Sequence, residues 1–160
     1  MADKKKIILY SLGALAGLVA ISYMNKDKLI EWLKPLANFK ITSPFGTRVH
    51  PVTKKVSTHN GIDISAPVGT PIKAPADAKV LRVYENNIGG LQIILLHDKG
   101  IKTGYAHLSA ASVKQGDTVT KGQIIGKVGK SGRVTGAHLH FTVKDGEGKF
   151  INPETFIFTA

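Results

Sequence analysis

The sequence contains no cysteine, and this absence removes several kinds of chemistry at once. A chain without cysteine has no disulfide bonds, no thiolate nucleophile and no cysteine-ligated zinc site. Any metal ion must therefore be bound by histidine and carboxylate side chains. The chain has six histidines and eleven acidic residues for this purpose.

Acidic and aromatic residues are also scarce. Lys and Arg number 22 against 11 Asp and Glu, which gives a net charge of +11, and aromatic residues make up 7% of the chain. This diffuse positive charge favours polyanionic surroundings such as nucleic acid, anionic lipid or a cell-wall polymer, but it also fits a basic domain that is merely soluble. We expect no nucleic-acid partner, because the sequence has neither a recognition-helix pattern nor basic patches interleaved with aromatics.

The length limits the architecture to one compact domain with a short appendage. With 160 residues, 42% of them hydrophobic and 21% charged, two full domains are not expected. Enough apolar surface is present to offset chain entropy, so the composition argues against a disordered tail, a coiled coil or collagen.

One long hydrophobic run lies near the N-terminus. After a basic segment at residues 1–6, residues 7–24 contain no charged side chain, and as a helix they would extend roughly 27 Å, close to the hydrocarbon thickness of a bilayer. The run predicts an uncleaved transmembrane anchor, although Ala20-Ile21-Ser22 also resembles a signal-peptide cleavage site. Gly13 and Gly17 form a GxxxG pair that would allow weak pairing of two such helices. Lysines on both sides of the run leave its orientation open.

The segment after this run has a mixed character. Residues 25–40 combine lysines with leucines and Trp32, which predicts an amphipathic juxtamembrane linker. Tryptophan is enriched at membrane interfaces, so Trp32 suits that position. The alternative is that the anchor helix continues through this segment and ends at Pro35.

From residue 41 onwards the pattern changes to that of a β-rich domain. Glycine and proline recur every few residues, and no stretch keeps the helical period of 3.6 residues. Segments rich in β-branched, aliphatic or aromatic residues predict strands, and the short turns between them predict antiparallel pairing. The predicted strands are residues 78–85, 91–97, 101–107, 123–128 and 138–144, with a hairpin turn at Asp98-Lys99-Gly100. We therefore expect a mainly β, antiparallel domain over residues 41–160.

Two histidines separated by one residue give the most specific chemical signal. On a strand, His138 and His140 point to the same face, whereas Leu139 enters the opposite, buried side. Two adjacent imidazoles suit zinc chemistry, in which one ring binds the metal and the other acts close to it. Taken singly, each such histidine is more often a surface or structural residue.

A second element is His59-Asn60-Gly61-Ile62-Asp63. A fully extended chain would separate His59 from Asp63 by roughly 13 Å, which is too far for one ion. The Asn60-Gly61 dipeptide permits a bend that brings the two side chains together. Two histidines and one carboxylate around zinc leave the fourth position for water, as in catalytic sites.

The remaining histidines differ in their surroundings. The segment Tyr105-Ala106-His107-Leu108 places His107 where it could face the same site. His50 and His97 lack such partners. We interpret His50 as a candidate for a substrate groove and His97 as a structural histidine.

Five segments resemble the successive signatures of lysostaphin-type zinc metallopeptidases, and together they span nearly all of residues 41–158 from first to last. They are Phe45-Gly46-Thr47-Arg48-Val49-His50-Pro51, His59-Asn60-Gly61-Ile62-Asp63, Gly104-Tyr105-Ala106-His107-Leu108-Ser109, Thr135-Gly136-Ala137-His138-Leu139-His140-Phe141 and Asn152-Pro153. The Gly-rich stretch at residues 113–126 also fits the family. That stretch resembles half of a biotinyl or lipoyl carrier module too, but it lacks the Met-Lys-Met attachment turn.

The resemblance implies a mainly antiparallel β fold and cleavage of peptide bonds in bacterial peptidoglycan. Carried over position by position, it implies that His59, Asp63 and His140 bind one Zn²⁺ per chain. It implies that His107 and His138 act on the water and the transition state. We assign His138 as the general base and His107 as the donor to the oxyanion, and the reverse or a shared role stays open.

Two positions depart from the family pattern. Lys54 stands where the family often has glycine, and Thr142 follows His-Leu-His-Phe where an acidic residue is common. Neither change removes a ligand position. The change at Thr142 bears on substrate preference more than on activity.

The sequence thus predicts a single-pass membrane protein with a zinc metalloendopeptidase domain that faces the cell wall and hydrolyses peptide cross-links of peptidoglycan. Two settings fit: remodelling of the wall from the bacterial inner membrane, or opening of the wall by a phage whose virion carries a membrane. The alternative is a catalytically inactive wall-binding or scaffold protein of the same fold. The bond cleaved and the oligomeric state are not specified by the sequence.

Overall fold

The computed structural model describes residues 32–38, 40–49 and 55–157. The predicted transmembrane run at residues 7–24, with its glycine pair, lies outside these ranges, and so does His50. Among the helices within these ranges, none is long and apolar enough to cross a membrane.

The described residues form an antiparallel β structure. The elements are β1 (Lys40–Ser43), β2 (Gly46–Val49), β3 (Val56–His59), β4 (Ile62–Ser65), β5 (Pro71–Lys73), β6 (Ala78–Asn86), β7 (Gly90–Leu96), β8 (Lys102–Ala111), β9 (Thr118–Val119), β10 (Ile124–Val128), β11 (His138–Lys144), β12 (Phe150–Ile151) and the short helix α1 (Pro153–Ile157). The main sheet has the order β1-β4-β11-β8-β7-β6-β9, with β10 paired to β5 and β8 and with β12 paired to β11. β2 and β3 form a separate two-stranded sheet. The mainly β, antiparallel prediction is confirmed.

The predicted strands agree with the observed ones to within a few residues. The bounds of β11 are those predicted, residues 138–144, and a single 3₁₀ turn at Asp98–Gly100 joins β7 to β8. Lys99 in this turn has a φ of 55°, the left-handed conformation that a tight connection requires. Local hydrophobicity and turn residues were therefore sufficient to locate the central hairpin of the sheet.

The sheet separates a buried face from an open one. On β11, Leu139, Phe141 and Val143 are fully buried, and on the neighbouring part of the sheet Ile93 and Leu95 of β7 are buried in the same way. The alternate residues of β11, which flank its buried side chains, are only partly buried. We call this second side the open face; on β11 it carries His138, His140, Thr142 and Lys144. Period-two alternation therefore places both histidines on the open face.

Trp32 does not lie at a membrane interface in this structure, and that expectation is wrong. The indole is buried, with its ring centroid 4.6 Å from that of His97 and 5.2 Å from that of Phe156. Leu36 is also buried in the core. Backbone hydrogen bonds from Leu33 and to Pro35 attach the segment to residues 73–75. The sequence assigned residues 32–38 to a linker, but they pack as part of the domain. Burial of their apolar side chains against the protein removes apolar surface from water.

His97 belongs to a buried chain of hydrogen bonds, in agreement with its interpretation as structural. Its Nδ1 donates to the carbonyl of Asp77 at 3.1 Å, so its Nε2 accepts from the Thr103 hydroxyl at 2.8 Å. Thr103 Oγ1 in turn accepts from the Tyr105 hydroxyl at 2.9 Å. Burial lowers the pKa of His97, and the hydrogen bond to Asp77 opposes this only in part. The folded protein therefore holds His97 neutral.

We predict that His97 makes folding stability fall in acid. Because the pKa of His97 is lower in the folded chain than in the unfolded one, the unfolded chain takes up the proton first as the pH drops below about 6.5. The melting temperature of the wild-type chain should thus fall more between about pH 7.5 and 5.5 than that of His97→Gln, measured by circular dichroism. Equal pH dependence in the two proteins would contradict the prediction.

Candidate metal centre and active-site cleft

Three adjacent strands place the candidate residues on one part of the open face. In the antiparallel register, His140 of β11 lies opposite Asp63 of β4 on one side and opposite Ala106 of β8 on the other. Directly opposed residues in an antiparallel pair have Cβ atoms about 5 Å apart. Asp63 and His140 therefore meet because of strand pairing, and His107 follows immediately after Ala106 on β8.

The bend between His59 and Asp63 occurs where the sequence predicts it. β3 ends at His59 and β4 begins at Ile62, so Asn60 and Gly61 form the connection. A Cβ at Gly61 would lie 2.5 Å from the Phe141 carbonyl oxygen and 2.8 Å from Thr142 Cγ2. This close approach to β11 admits no side chain. The turn therefore requires glycine for space, and it brings His59 beside the β4 and β11 residues.

Three ligand-type atoms converge at this point. His140 Nδ1 lies 2.8 Å from Asp63 Oδ1, His59 Nε2 lies 3.1 Å from His140 Nδ1, and His59 Nε2 lies 3.3 Å from Asp63 Oδ1. His59 is buried, and Asp63 and His140 are partly exposed. The structure thus brings together the three residues expected to bind metal, with one side of the group facing solvent.

Hydrogen bonding on the far side of the His59 ring orients it toward this group. His59 Nδ1 lies 2.8 Å from the Pro44 carbonyl oxygen, which can only accept, so Nδ1 carries the proton. In the neutral ring Nε2 then presents a lone pair, and it does so toward the Asp63 carboxylate. Two electron-rich atoms in contact are unfavourable unless a cation or proton lies between them.

The geometry fits a zinc ion. Tetrahedral zinc with ligand bonds of 2.0–2.2 Å has neighbouring ligand atoms roughly 3.3–3.5 Å apart. The observed separations of 3.3, 3.1 and 2.8 Å run from this range to about 0.5 Å below it, so a bound ion would move the ligand atoms a few tenths of an ångström apart. Burial raises the pKa of the Asp63 carboxyl, but the adjacent imidazoles of His140 and His59, which donate to the carboxylate when their facing nitrogens carry a proton, outweigh burial and hold this pKa well below its usual range. Asp63 is therefore ionised at neutral pH and offers a negative charge to a cation.

The two other predicted histidines border the same group. The His107 and His138 ring centroids lie 4.8 Å apart, and the His107 and His140 centroids lie 6.1 Å apart. His138 Nε2 is 3.7 Å from Asp63 Oδ1. All five site residues expected from the sequence are therefore gathered in one place.

Backbone carbonyls also fix the tautomers of these two rings. His107 Nδ1 donates to the Ser131 carbonyl and His138 Nδ1 donates to the Gly136 carbonyl, both at 2.9 Å. Each neutral ring therefore has an unprotonated Nε2 available in the cleft. Burial lowers the pKa of His107, as do the nearby His138 and His140, whereas the Ser131 carbonyl and Asp63 act in the opposite direction.

His107 adopts an unusual backbone conformation, with a φ of 65°. Non-glycine residues in the left-handed region cost free energy and occur more often at functional sites. Ser131 supports this position from the neighbouring loop: its hydroxyl donates to the Leu108 carbonyl at 2.7 Å and accepts from the Leu91 amide at 3.0 Å. These hydrogen bonds between the loop and the strands thus hold the backbone around His107 in place.

A cleft of about 730 Å³ surrounds the group. Asp63 is the only carboxylate among the described residues that line it, whereas Arg48 and Arg133 contribute cationic side chains. Sequence reasoning did not identify the two arginines as cleft residues, although Arg48 belongs to the first of the family-like segments. It also missed the carbonyls of Ser131 and Gly136, for which no side-chain signal exists.

Comparison with known proteins agrees with this geometry. The model of peptidase family M23 matches residues 57–153. The chain is 42% identical over 121 residues to the DD-carboxypeptidase/endopeptidase Mpg of Neisseria meningitidis, which covers 76% of the chain and 28% of that protein. It is 42% identical over 106 residues to the peptidoglycan DD-endopeptidase ShyA of Vibrio cholerae, covering 66% of the chain and 25% of that protein. The chain thus spans about a quarter of the length of these relatives.

Solved structures show the same fold. A zinc containing peptidase from Vibrio cholerae superposes with a TM-score of 0.72 at 36% identity, covering 76% of this chain and 39% of that one. The catalytic domain of lysostaphin from Staphylococcus simulans gives a TM-score of 0.69 at 33% identity, covering 76% of this chain and 94% of that one. The fold expected from the resemblance is confirmed.

We predict that Asp63→Asn weakens zinc binding because it removes the negative charge that Asp63 contributes to the metal centre. The loss of affinity should exceed the roughly 10- to 100-fold typical of removing a residue that only orients a ligand. Competition with a chelator of known zinc affinity measures it, and His97→Gln serves as a control because His97 lies in the separate buried network. Equal zinc affinity in wild type and Asp63→Asn would contradict the prediction.

Proposed function

Because the chain belongs to peptidase family M23, a family of zinc peptidases, we propose that it hydrolyses peptide cross-links in bacterial peptidoglycan. The observation that carries the proposal is the open cleft in which His59, Asp63 and His140 converge while His107 and His138 present a free Nε2 beside them. A metal site with an open side and adjacent proton-transferring groups has the arrangement of a hydrolytic centre rather than a structural one.

His59, Asp63 and His140 would hold the zinc ion through Nε2, Oδ1 and Nδ1 respectively, since these atoms already face one another. When bound, zinc supplies a Lewis acid that polarises the scissile carbonyl and lowers the pKa of water. The Pro44 carbonyl keeps the proton of His59 on Nδ1, away from the metal side. Such hydrogen bonds to metal-binding histidines fix both ring orientation and tautomer.

His107 and His138 carry the proton transfers in this proposal. In the neutral tautomer that the carbonyls of Ser131 and Gly136 impose, each Nε2 can take a proton from the attacking water and later give it to the leaving amine. The assignment of His138 as the base and His107 as the oxyanion donor stays a prediction. A donor role requires a protonated ring, and burial of His107 disfavours that form at neutral pH.

Peptidoglycan is proposed as the substrate on two grounds. The relatives include a protein named as a peptidoglycan DD-endopeptidase, and the chain carries a net charge of +11 that suits the anionic cell wall. The cleft volume of about 730 Å³ is compatible with such a ligand, since ligand sites commonly measure about 300–1,000 Å³.

Anchoring in a membrane is a further part of the proposal. It depends on the eighteen uncharged residues at 7–24, which are long enough to span a bilayer as a helix. With this anchor the domain would face the wall from the bacterial inner membrane, or from the membrane of a phage virion. Tethering would raise the local concentration of the enzyme at the wall.

The proposal is tested by mass spectrometry of products. The zinc-loaded 160-residue chain is incubated with sacculi of several cross-link chemistries, and the released fragments are sequenced. We expect a new amino terminus at one peptide bond with the wild-type chain and none with His140→Ala. Release of no fragment from any sacculus, despite one zinc bound per chain, would favour the inactive wall-binding or scaffold alternative.

We predict that His107→Asn retains zinc but loses activity about 100-fold or more, the scale of one proton-transferring group. Asparagine is chosen because it tolerates the left-handed backbone of this position better than alanine. The pH dependence of kcat/KM in His107→Asn and in His138→Asn identifies the base, whose loss removes the acidic limb of the profile. Unchanged turnover in His107→Asn would refute a catalytic role for His107.

A further inference from the structure

A second groove leads away from the metal centre along the open face. It has a volume of about 260 Å³ and shares Asn60, Ala106 and His140 with the lining of the catalytic cleft. From His140 it follows β11 past Thr142 to Lys144. Four positions along a strand correspond to about 13 Å, so the far end lies within the span of a short peptide.

Strand pairing brings two lysines together at this far end. Lys144 of β11 lies directly opposite Lys102 of β8, and both line the groove. The next pair on the open face toward the metal centre is Thr142 and Gly104. A Cβ at Gly104 would lie 2.5 Å from Thr142 Oγ1, so these two residues pack closely. They line the base of the groove between the two lysines and His140.

These two lysines have no acidic partner in the described part of the chain. Like charges directly opposite on adjacent strands are destabilising unless something neutralises them. No ion pair joins either lysine to a described carboxylate, and no acidic residue is among the described residues that line the groove. Lys144 Nζ lies 4.3 Å from the centroid of the Phe150 ring, which holds the ammonium in place without neutralising it.

Another strand of the same sheet, β6, carries further positive charge on the open face. Arg82 of β6 lies opposite Ile94 of β7, another residue of the groove, and its guanidinium stacks 4.4 Å from the Tyr84 ring centroid. A groove bordered by cations and lacking carboxylates attracts an anionic ligand. Because the groove begins at the metal centre, a peptide bound in the cleft would extend into it beyond the scissile bond.

We propose that Lys102 and Lys144 form a subsite for a free carboxylate of the peptidoglycan peptide, so that the chain selects acidic peptides over amidated ones. This inference rests on the proposed function, because it takes the occupant of the groove from the substrate of the cleft. Paired ammonium groups form charge-assisted hydrogen bonds with a carboxylate, whereas a carboxamide of the same shape provides no charge. The two lysines are specificity-determining residues and take no part in the chemical step.

Binding of two synthetic stem peptides tests the proposal. The peptides are identical except that the carboxylates of one are amidated, and fluorescence anisotropy gives Kd for each with the zinc-loaded 160-residue chain. We expect the wild type to bind the carboxylate form about tenfold more tightly, the scale of one charge-assisted contact. In Lys102→Gln/Lys144→Gln this ratio should fall to near one, with zinc content and the Kd for the amidated peptide unchanged.

A matched control removes two lysines from elsewhere on the surface. Lys114 and Lys121 are exposed and line neither the groove nor the cleft, so Lys114→Gln/Lys121→Gln should keep the wild-type ratio. The proposal is overturned if this control loses the ratio equally, if the groove variant keeps it, or if neither peptide binds. It is also overturned if the groove variant loses affinity for a glycerol phosphate polymer but not for the peptides, since the ligand would then be a wall polymer.

Hydrolysis of sacculi by the same proteins separates this proposal from the proposed function. Charge-dependent peptide binding without hydrolysis would support the subsite and refute the activity. Hydrolysis with equal binding of the two peptides would support the activity and refute the subsite.

Discussion

The antiparallel register between β4 and β11 is the constraint on which the candidate site depends. It sets Asp63 opposite His140, and the pairing of β11 with β8 on the other side brings the His107 region to the same place. A shift of this register by one residue would turn His138 and His140 into the core and Leu139 toward solvent. The fully buried Leu139, Phe141 and Val143 prevent such a shift, so the hydrophobic core determines the position of the polar site.

Backbone carbonyls orient three histidine rings of the site. Pro44, Ser131 and Gly136 each accept a hydrogen bond from an Nδ1 atom, at His59, His107 and His138 respectively. The contacts leave Nε2 of all three rings without a proton in the neutral state, as metal binding and proton abstraction both require. A carbonyl does not titrate, so it imposes the same tautomer whenever the ring is neutral.

The sequence predicted the parts of this protein that depend on local pattern. Alternation located β11 to the residue, the Asn60-Gly61 dipeptide located the bend, and the family-like segments named all five residues that the structure gathers. It did not predict features that depend on distant contacts. Trp32 was assigned to a membrane interface because a tryptophan among lysines gives the same sequence pattern whether the ring packs against lipid or against protein. Lys102 and Lys144 likewise lie opposite each other because of the register between β8 and β11, and the sequence of neither strand alone specifies that register.

The hydrogen bonds of Ser131 have a consequence for how substrate is received. This residue attaches the loop before β11 to His107, Leu108 and Leu91, while His138 at the other end of the loop is fixed in the sheet. One wall of the cleft is thus ordered in advance at both ends. A preorganised wall loses little conformational entropy when a ligand binds, so more of the contact free energy remains as affinity. The Arg133 amide adds a third attachment, to the Ile88 carbonyl at 2.9 Å, so the part of this wall that is left to adapt to different peptides lies between Arg133 and His138.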